Sequence, residues 1–103
     1  MAPLTPISLT GVLILQALAQ GHKFGFDMMQ ATALPSGTIY PALRRLEALE
    51  LVTSDWERDL KARKEGRPRR RYYTLTPAGR QQLKDAEARV AAIGRLFPNR
   101  STT

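Results

Sequence analysis

The sequence predicts a mainly helical α+β domain in which three helices precede two short strands and a long helix follows them. Apolar residues recur every three or four positions in the helical segments, which is the spacing of a helix packed on one side. Two short segments instead alternate between apolar and polar residues, as half-buried strands do. The chain has 103 residues, the size of one domain, so these elements should share one core.

The first helix is predicted over residues 5–20. Thr5 is suited to cap its first turn and Pro6 to occupy its first position, where a missing N–H costs little. A wide apolar stripe follows, which indicates a central helix that its neighbours cover on most sides. Gly21 provides the stop, because glycine readily adopts the left-handed conformation in which many helices end.

A short second helix is predicted over residues 25–33, with Phe26, Met29 and Ala33 pointing into the core. We interpret Met28 and Met29 as core filler rather than as metal or cofactor ligands, because flexible thioether chains fill irregular gaps. A turn of small residues then leads to the next helix.

The third helix is predicted to begin with Ser36 or Thr38 as its cap and to end at about Leu49. Its core face comprises Ile39, Leu43, Leu46 and Leu49. Its opposite face combines small and basic residues, namely Gly37, Pro41, Arg44, Arg45 and Ala48. Tyr40 flanks that face, where its ring packs against the second helix or its hydroxyl reaches a phosphate.

Two strands are predicted over residues 52–56 and 71–75. They form a hairpin that must lean on the helices, since an isolated hairpin is only marginally stable. Residues 57–70, between the strands, are predicted to form a polar loop. We interpret Trp56, the last residue of the first strand, as packed in the core of this hairpin.

The last helix is predicted to open at Thr76 and Pro77, as cap and first residue, and to end before Pro98. Its apolar residues form a heptad-like seam of Leu83, Ala86, Val90, Ile93, Leu96 and Phe97. This seam either packs on the first helix of its own chain or pairs with a second copy. We favour pairing, because a domain this short leaves the far end of the helix uncovered.

Composition excludes several classes of function. The chain has no cysteine and one histidine, which excludes disulfides, thiolate zinc sites and cysteine nucleophiles and argues against a histidine-rich metal centre. The apolar run of residues 12–15 is far too short for a membrane helix, and the N-terminus lacks the basic region of a secretory signal. We therefore expect a cytoplasmic protein with no membrane partner, no catalytic residues and no metal or other cofactor, in which His22 lies exposed in a turn.

The positive charge is concentrated in one stretch. The net charge is +7 and the pI about 10.6, and five of the seven charges arise between residues 57 and 73, where eight Lys or Arg stand against three acids. Such local basicity is typical of a nucleic-acid-binding surface. The order of elements is that of a winged helix-turn-helix, whose third helix reads bases in the DNA major groove, while wing guanidinium groups pair with phosphates.

We therefore predict double-stranded DNA as the partner, with residues 1–76 as the winged helix-turn-helix and residues 77–103 as a dimerisation helix with a frayed tail. The expected DNA-contacting residues are Ser36, Gly37, Thr38, Tyr40, Pro41, Arg44, Arg45, Lys61, Arg63, Lys64, Arg67, Arg69 and Arg70. The alternative is that the wing arginines form only a solvated loop and that the third helix merely exposes an ordinary polar face.

Four stretches resemble the PadR family of bacterial transcriptional regulators. Residues 37–47, GTIYPALRRLE, resemble the family's recognition helix. Residues 66–68, GRP, and residues 70–79, RRYYTLTPAG, resemble its wing and the entry to the last helix. Residues 24–27 resemble the family's Gly-Tyr-Glu opening of the second helix, with Phe26 in place of tyrosine. The resemblance implies a repressor that dimerises through its last helix and belongs to the short form, without a long additional C-terminal domain. A two-fold dimer of this kind is expected to bind a palindromic operator.

A small-molecule inducer stays unidentified at the level of sequence. In some members of the family an aromatic residue between the dimer helices stacks ligands, whereas Phe97 is the only aromatic residue of the last helix here. An alternative function is a protein-interaction module that docks its basic wing on an acidic partner. Such a module would show a larger apolar patch on the outer face of the third helix, where this sequence has arginines and small residues.

Overall fold

The computed structural model describes residues 7–97. Five helices and a two-stranded antiparallel sheet follow in the order α1 (Leu9–Ala19), α2 (Gly25–Thr32), α3 (Ser36–Ala48), β1 (Val52–Trp56), α4 (Asp59–Lys64), β2 (Arg71–Leu75) and α5 (Pro77–Leu96). The predicted mainly helical α+β class is confirmed. The difference in element content is α4, a short helix inside the segment predicted to be a loop.

Helix α1 begins later than predicted. Ser8 is its N-cap and accepts a hydrogen bond from the amide of Gly11 at 3.2 Å, which satisfies one of the free amides of the first turn. The predicted start at residue 5 is therefore wrong, and the predicted cap and first residue, Thr5 and Pro6, lie outside the described residues. Gly21 has φ +99° just after the helix, as predicted for a stop.

Helix α2 buries a face that agrees with the predicted one at Met29, which packs against the core, and differs from it at Phe26 and Ala33. Met28 is fully buried, which confirms its role as core filler, and Met29 is half-buried. Phe26 is 60% exposed, and Ala33 is exposed as the C-cap in the left-handed region. The helix has only eight residues, too few for periodicity to fix its phase. Its contacts with α1 and α3 decide which side faces inward.

The core lies between the helices and one face of the sheet. Helix α1 contacts α2, α3, α5 and β2, so it is the covered central helix that its wide apolar stripe predicts. The largest fully buried side chains are Ile14, Leu15, Met28, Ile39, Leu43 and Val52. Leu49, predicted on the core face of α3, is exposed because it is the C-cap, where the chain turns away toward β1.

The sheet has the predicted strands and pairs Val52 with Leu75, Ser54 with Tyr73 and Trp56 with Arg71. Val52 and Tyr73 are buried on its helix-facing side. Trp56 lies at the open end of the sheet and is 55% exposed. The interpretation of Trp56 as core packing is therefore wrong, because its ring lies under the guanidinium groups of Arg69 and Arg71 and not under apolar side chains of the core.

Helix α4 occupies part of the predicted loop. Asp59 lies in its first turn and Lys61, Arg63 and Lys64 lie in its last turn, an order of charges that favours the helix dipole. Ala62 is the residue of this helix that is buried. The wing, residues 57–70, is thus a hairpin tip with a basic helix on it rather than an irregular loop.

Helix α5 begins as predicted, with Thr76 as the cap. The Thr76 hydroxyl accepts a hydrogen bond from the amide of Gly79 at 2.9 Å and donates one to the carbonyl of Glu50 at 2.8 Å. Pro98 and the tail beyond it lie outside the described residues. The cap therefore ties the start of α5 to the turn that precedes β1.

Gly79 is expected to tolerate no side chain. A Cβ atom at this position would overlap with the carbonyl oxygen of Leu51, and backbone atoms cannot move aside cheaply. We expect Gly79→Ala to destabilise the fold by about 1–3 kcal/mol or more in urea unfolding followed by circular dichroism. Gly94→Ala in the same helix is the control, since no atom lies within 4 Å of its Cβ and alanine favours helix by about 1 kcal/mol. Equal loss of stability in the two variants would contradict this close packing.

Candidate nucleic-acid interface

The outer face of α3 is the first part of the candidate interface. The helix buries Ile39, Ala42, Leu43 and Leu46 and exposes Gly37, Tyr40, Pro41, Arg44, Arg45 and Ala48. Pro35 is its N-cap and no side chain caps it by a hydrogen bond, so the predicted caps are wrong: Ser36 is the first helical residue and Thr38 lies within the first turn. The exposed face therefore carries small side chains near the start of the helix and positively charged side chains in its middle.

Tyr40 packs against α2 while keeping one edge exposed. Its ring lies directly over Gly25, so closely that any side chain at Gly25 would overlap with it. The side chain of Tyr40 is still 41% exposed. The glycine at the start of α2 therefore allows the third helix to lie close to the second at this point.

A buried carboxylate lies at the base of the wing. Each carboxylate oxygen of Glu57 accepts a hydrogen bond from one terminal nitrogen of Arg67, so the two side chains form an ion pair with two hydrogen bonds. The bond from Arg67 Nη2 to Glu57 Oε2 is 2.9 Å long. The hydroxyl of Tyr72 donates to the same carboxylate at 3.0 Å, and the backbone amide of Arg70 does so at 3.3 Å. These hydrogen bonds, that of Arg67 first, lower the pKa of Glu57 from 4.5 to about 2. The carboxylate is therefore ionised at any physiological pH.

The guanidinium groups near the wing base lie against aromatic rings. Arg70 lies 4.2 Å from the ring centre of Phe24. Arg69 and Arg71 lie 5.5 and 5.4 Å from that of Trp56. Cations over the faces of aromatic rings attract them electrostatically. These arginines therefore have defined positions, although their side chains are not buried.

Two of these arginines are also held by hydrogen bonds. Arg69 Nε donates to the backbone carbonyl of Glu57 at 2.8 Å. Arg71 Nε donates to the hydroxyl of Ser54 at 2.9 Å, and Arg71 also pairs with Glu47 of α3 at 3.5 Å. Arg71 thereby links the sheet to the third helix.

The basic residues of α4 are different, because they point into solvent. Lys61, Arg63 and Lys64 are all exposed. Arg63 pairs with Asp59 at 3.6 Å, but both side chains are more than half exposed, and such surface pairs contribute little. The structure thus divides the predicted contact residues into an exposed α3 face, an exposed α4 cluster and a set of arginines fixed at the wing base.

A groove of about 990 Å³ separates α3 from the wing base. Its walls combine aromatic rings with guanidinium groups, namely Phe24, Phe26, Tyr40, Trp56, Tyr73, Arg44, Arg67, Arg69, Arg70 and Arg71. The groove runs from the α3 face to the wing base, so Arg44 of α3 and the arginines of the wing base line the same groove.

The apolar seam of α5 divides into two halves. Leu83 and Ala86 are buried within the domain, where α5 contacts α1 and β2. In the far half Val90 is 62% exposed and Leu96 is 74% exposed, and Ile93 and Phe97 are half exposed. The two interpretations of the seam therefore concern different residues: the near half packs on its own chain, and the far half presents apolar side chains to solvent.

Sequence reasoning missed the structural role of Glu57 and treated it as one acid among many bases. Its position at the end of a predicted strand is the one available signal, since a charged residue there can be enclosed by the returning strand. The sequence also predicts that His22 is exposed to solvent. In the structure His22 is half-buried, with its Nδ1 at 3.1 Å from the Asp27 carboxylate. Within residues 7–97, no cluster of three or more metal-ligating side chains is present. No helix in that range combines the length and hydropathy needed to cross a membrane.

Comparison with known proteins gives a family-level match. A model of the transcriptional regulator PadR-like family matches residues 14–85. An uncharacterised 37.1 kDa protein in a transposon of Streptomyces fradiae is 37% identical in an alignment of 93 residues that covers 84% of this chain. The chain spans only 24% of the length of that relative.

Solved structures share the fold. A PadR-family transcription regulator from Clostridium difficile has a TM-score of 0.77 and 25% identity, over 89% of this chain and 97% of that one. A Bordetella bronchiseptica protein whose DNA binding is regulated by 6-hydroxynicotinic acid has a TM-score of 0.74 and 20% identity, over 99% of this chain and 72% of that one. At that identity the second likeness concerns the fold alone.

Proposed function

Since the chain belongs to the PadR-like family of transcriptional regulators, we propose that it represses transcription by binding a palindromic operator as a homodimer. The observation that carries the proposal is the outer face of α3, where Arg44 and Arg45 are exposed beside small residues. Gly37 and Pro41 leave room for close approach to DNA, and arginine pairs bidentately with guanine in the major groove. A regulator of this kind acts on the chromosome, in the cytoplasm.

The wing supplies the sequence-independent part of binding in this proposal. Lys61, Arg63 and Lys64 on α4 are exposed and free to approach phosphates. The groove between α3 and the wing base is lined by several guanidinium groups, which suits the sugar–phosphate strand that separates the major from the minor groove. Phosphate neutralisation releases counterions, so affinity should fall steeply with salt.

The far half of the α5 seam supplies the dimer contact. A two-fold contact needs one patch that matches itself, and the exposed apolar residues Val90, Ile93 and Leu96 form such a patch on a single helix. A dimer also contacts two half-sites of the operator at once, which a specific affinity requires.

The alternative, docking on an acidic protein partner, has one observation in its favour. Phe26 and Trp56 are large, exposed and in the same groove. Two guanidinium groups lie over the Trp56 ring, however, and five arginines line the groove. DNA is therefore the partner that best matches both the groove and the exposed arginines of α3.

The proposal is tested by selecting bound DNA from a random pool at moderate salt. We expect a two-fold symmetric motif with half-sites about 34–36 Å apart or a multiple of that distance. Enrichment of no motif, together with tight capture of acidic proteins by the purified chain, would favour the alternative.

Removal of the α4 charges is expected to weaken binding to all sequences alike. If a dimer neutralises about six phosphates, the slope of log affinity against log salt is about −5 or steeper. Replacing Lys61, Arg63 and Lys64 with alanine should flatten that slope in fluorescence-anisotropy titrations. The control replaces Lys23, Arg80 and Lys84 with alanine, which removes the same amount of positive charge. These three residues line a separate cleft between α1, β2 and α5. A slope that the control flattens as much as the α4 variant would remove α4 from the phosphate contact.

A further inference from the structure

We propose that Glu57 is a positioning residue for DNA binding: an acidic side chain whose buried network orders the basic wing. The network consists of Glu57, Arg67, Tyr72 and the backbone amide of Arg70. The inference rests on the proposed DNA-binding function and assigns to Arg67 a role inside the wing rather than on a phosphate.

The first support is that the carboxylate has no unused hydrogen-bonding capacity. Its side chain is 2% exposed, and each oxygen accepts two hydrogen bonds, which fills the roughly four lone-pair sites of a carboxylate. Arg67 is likewise enclosed, with its side chain 18% exposed. It also pairs with Glu65 at 3.0 Å. A guanidinium committed to two carboxylates has little left to offer a phosphate.

The second support is the position of the network at the neck of the wing. Glu57 follows β1, and its partners come from the returning chain. The backbone is closed there as well, since the Glu57 amide donates to the Arg70 carbonyl at 2.7 Å and Arg69 Nε donates to the Glu57 carbonyl. The segment that carries α4 therefore leaves and rejoins the sheet through this one cluster.

The network is also joined to the helical part of the domain. The ring of Tyr72, whose hydroxyl reaches Glu57, meets the ring of Phe24 edge-on at 5.7 Å. Phe24 is the residue that precedes α2. The position of the α4 cluster relative to α3 thus depends on contacts that run from Glu57 through Tyr72 to the start of α2.

For the removal of Glu57, the proposal predicts weaker DNA binding, whereas the net charge alone predicts tighter binding. The wing is strongly basic, and unpaired like charges repel one another. If Glu57 were only an acid among bases, its removal would raise the net positive charge and tighten binding to any DNA. If it orders the wing, its removal leaves Arg67 without its partner and the α4 cluster without a fixed position, and binding weakens.

The experiment compares Glu57→Gln with Glu65→Gln by anisotropy titration on the selected DNA over a range of salt. Both substitutions remove one negative charge beside Arg67, but Glu65 is the more exposed partner. We expect Glu65→Gln to bind equally or more tightly. We expect Glu57→Gln to bind about tenfold more weakly, with a salt slope shallower by about one to two, as if one or two phosphate contacts per dimer were lost.

A double-mutant cycle with Arg67→Met separates positioning from direct contact. If Arg67 acts through Glu57, the double variant should bind no more weakly than either single variant, because each breaks the same network. Additive losses would mean that Arg67 contacts phosphate on its own and would overturn the assignment. Tighter binding by Glu57→Gln, matching Glu65→Gln, would overturn it as well.

The single tryptophan gives a readout that needs no DNA. Trp56 precedes Glu57 and lies under the guanidinium groups of Arg69 and Arg71. We expect Arg67→Met and Glu57→Gln to increase quenching of its fluorescence by acrylamide, while helical circular dichroism is retained; unchanged quenching in both would contradict an ordering role. Should Glu57→Gln lose helical structure, Arg67→Met decides by the same two measurements. A wild-type chain that binds no DNA would contradict the proposed function, and the quenching result would still decide whether Glu57 orders the wing.

Discussion

Two acidic substitutions in the far half of the α5 seam, Val90→Glu with Ile93→Glu, are expected to turn the proposed homodimer into a monomer. Both side chains are more than half exposed within one chain, so they are available to a second copy. In a dimer they would be buried, and burying an unpaired carboxylate is costly. Because neither residue belongs to the core of the domain, the variant should keep its helical circular dichroism.

Loss of the dimer should be accompanied by loss of specific binding. Specific complexes are typically about a thousandfold or more tighter than non-specific ones, and a single winged domain reads only one half-site. The double variant should therefore sediment as a monomer and bind the palindromic site no more tightly than unrelated DNA. Sedimentation velocity and anisotropy titration on the same samples measure both effects.

The control places the same two charges on the opposite face of the helix. Ala88 and Ala91 are exposed and lie about 160° and 100° around the helix from Val90. Ala88→Glu with Ala91→Glu should stay dimeric. A wild-type chain that is monomeric at tens of micromolar, or a Val90 and Ile93 variant that stays dimeric, would falsify the seam as the interface. Unfolding of that variant would instead favour packing of the seam on its own α1.

Substitution of Arg44 or Arg45 is expected to change which sequences are bound. A bidentate arginine–guanine contact is worth about 1–3 kcal/mol of discrimination against the wrong base. Arg44→Ala and Arg45→Ala should therefore relax preference at particular positions of the operator, in contrast to the uniform weakening expected from the α4 variant. Repeating the selection with each variant, and competing the wild-type site against single-base changes, measures the loss.

Lysine at the same positions separates charge from geometry. Arg44→Lys and Arg45→Lys keep the positive charge but lose the planar pair of donors. We expect the lysine variants to retain most of the salt-dependent affinity and to lose part of the base discrimination. If neither alanine variant alters the selected motif, α3 does not read the bases.

Much of the fold could be predicted because its signals are local. The strands over residues 52–56 and 71–75 and the start of α5 at Thr76 agree with the structure. Alternation specifies strands, and a capping hydroxyl followed by proline specifies a helix start, whatever lies around them. The outer face of α3 could also be predicted from the sequence, because Arg44 and Arg45 lie opposite a regular apolar stripe.

The remaining features depend on what lies opposite each residue in space. Phe26 and Met28 are both apolar, and only the placement of α2 against its neighbours decides that Met28 is buried. Trp56 follows the alternation of its strand, yet its ring is exposed beneath Arg69 and Arg71, which the returning chain places there.

The sequence by itself determined the order of the elements, the basic wing and the apolar stripe of α5, because composition and periodicity are properties of neighbouring residues. Only the tertiary structure decided that this stripe is buried at Leu83 and exposed at Val90, since α1 and the sheet reach only the first half of the helix. It also decided that Glu57 and Arg67, ten residues apart, enclose each other. Burial and pairing of charges arise where distant segments meet, and no local pattern records that meeting.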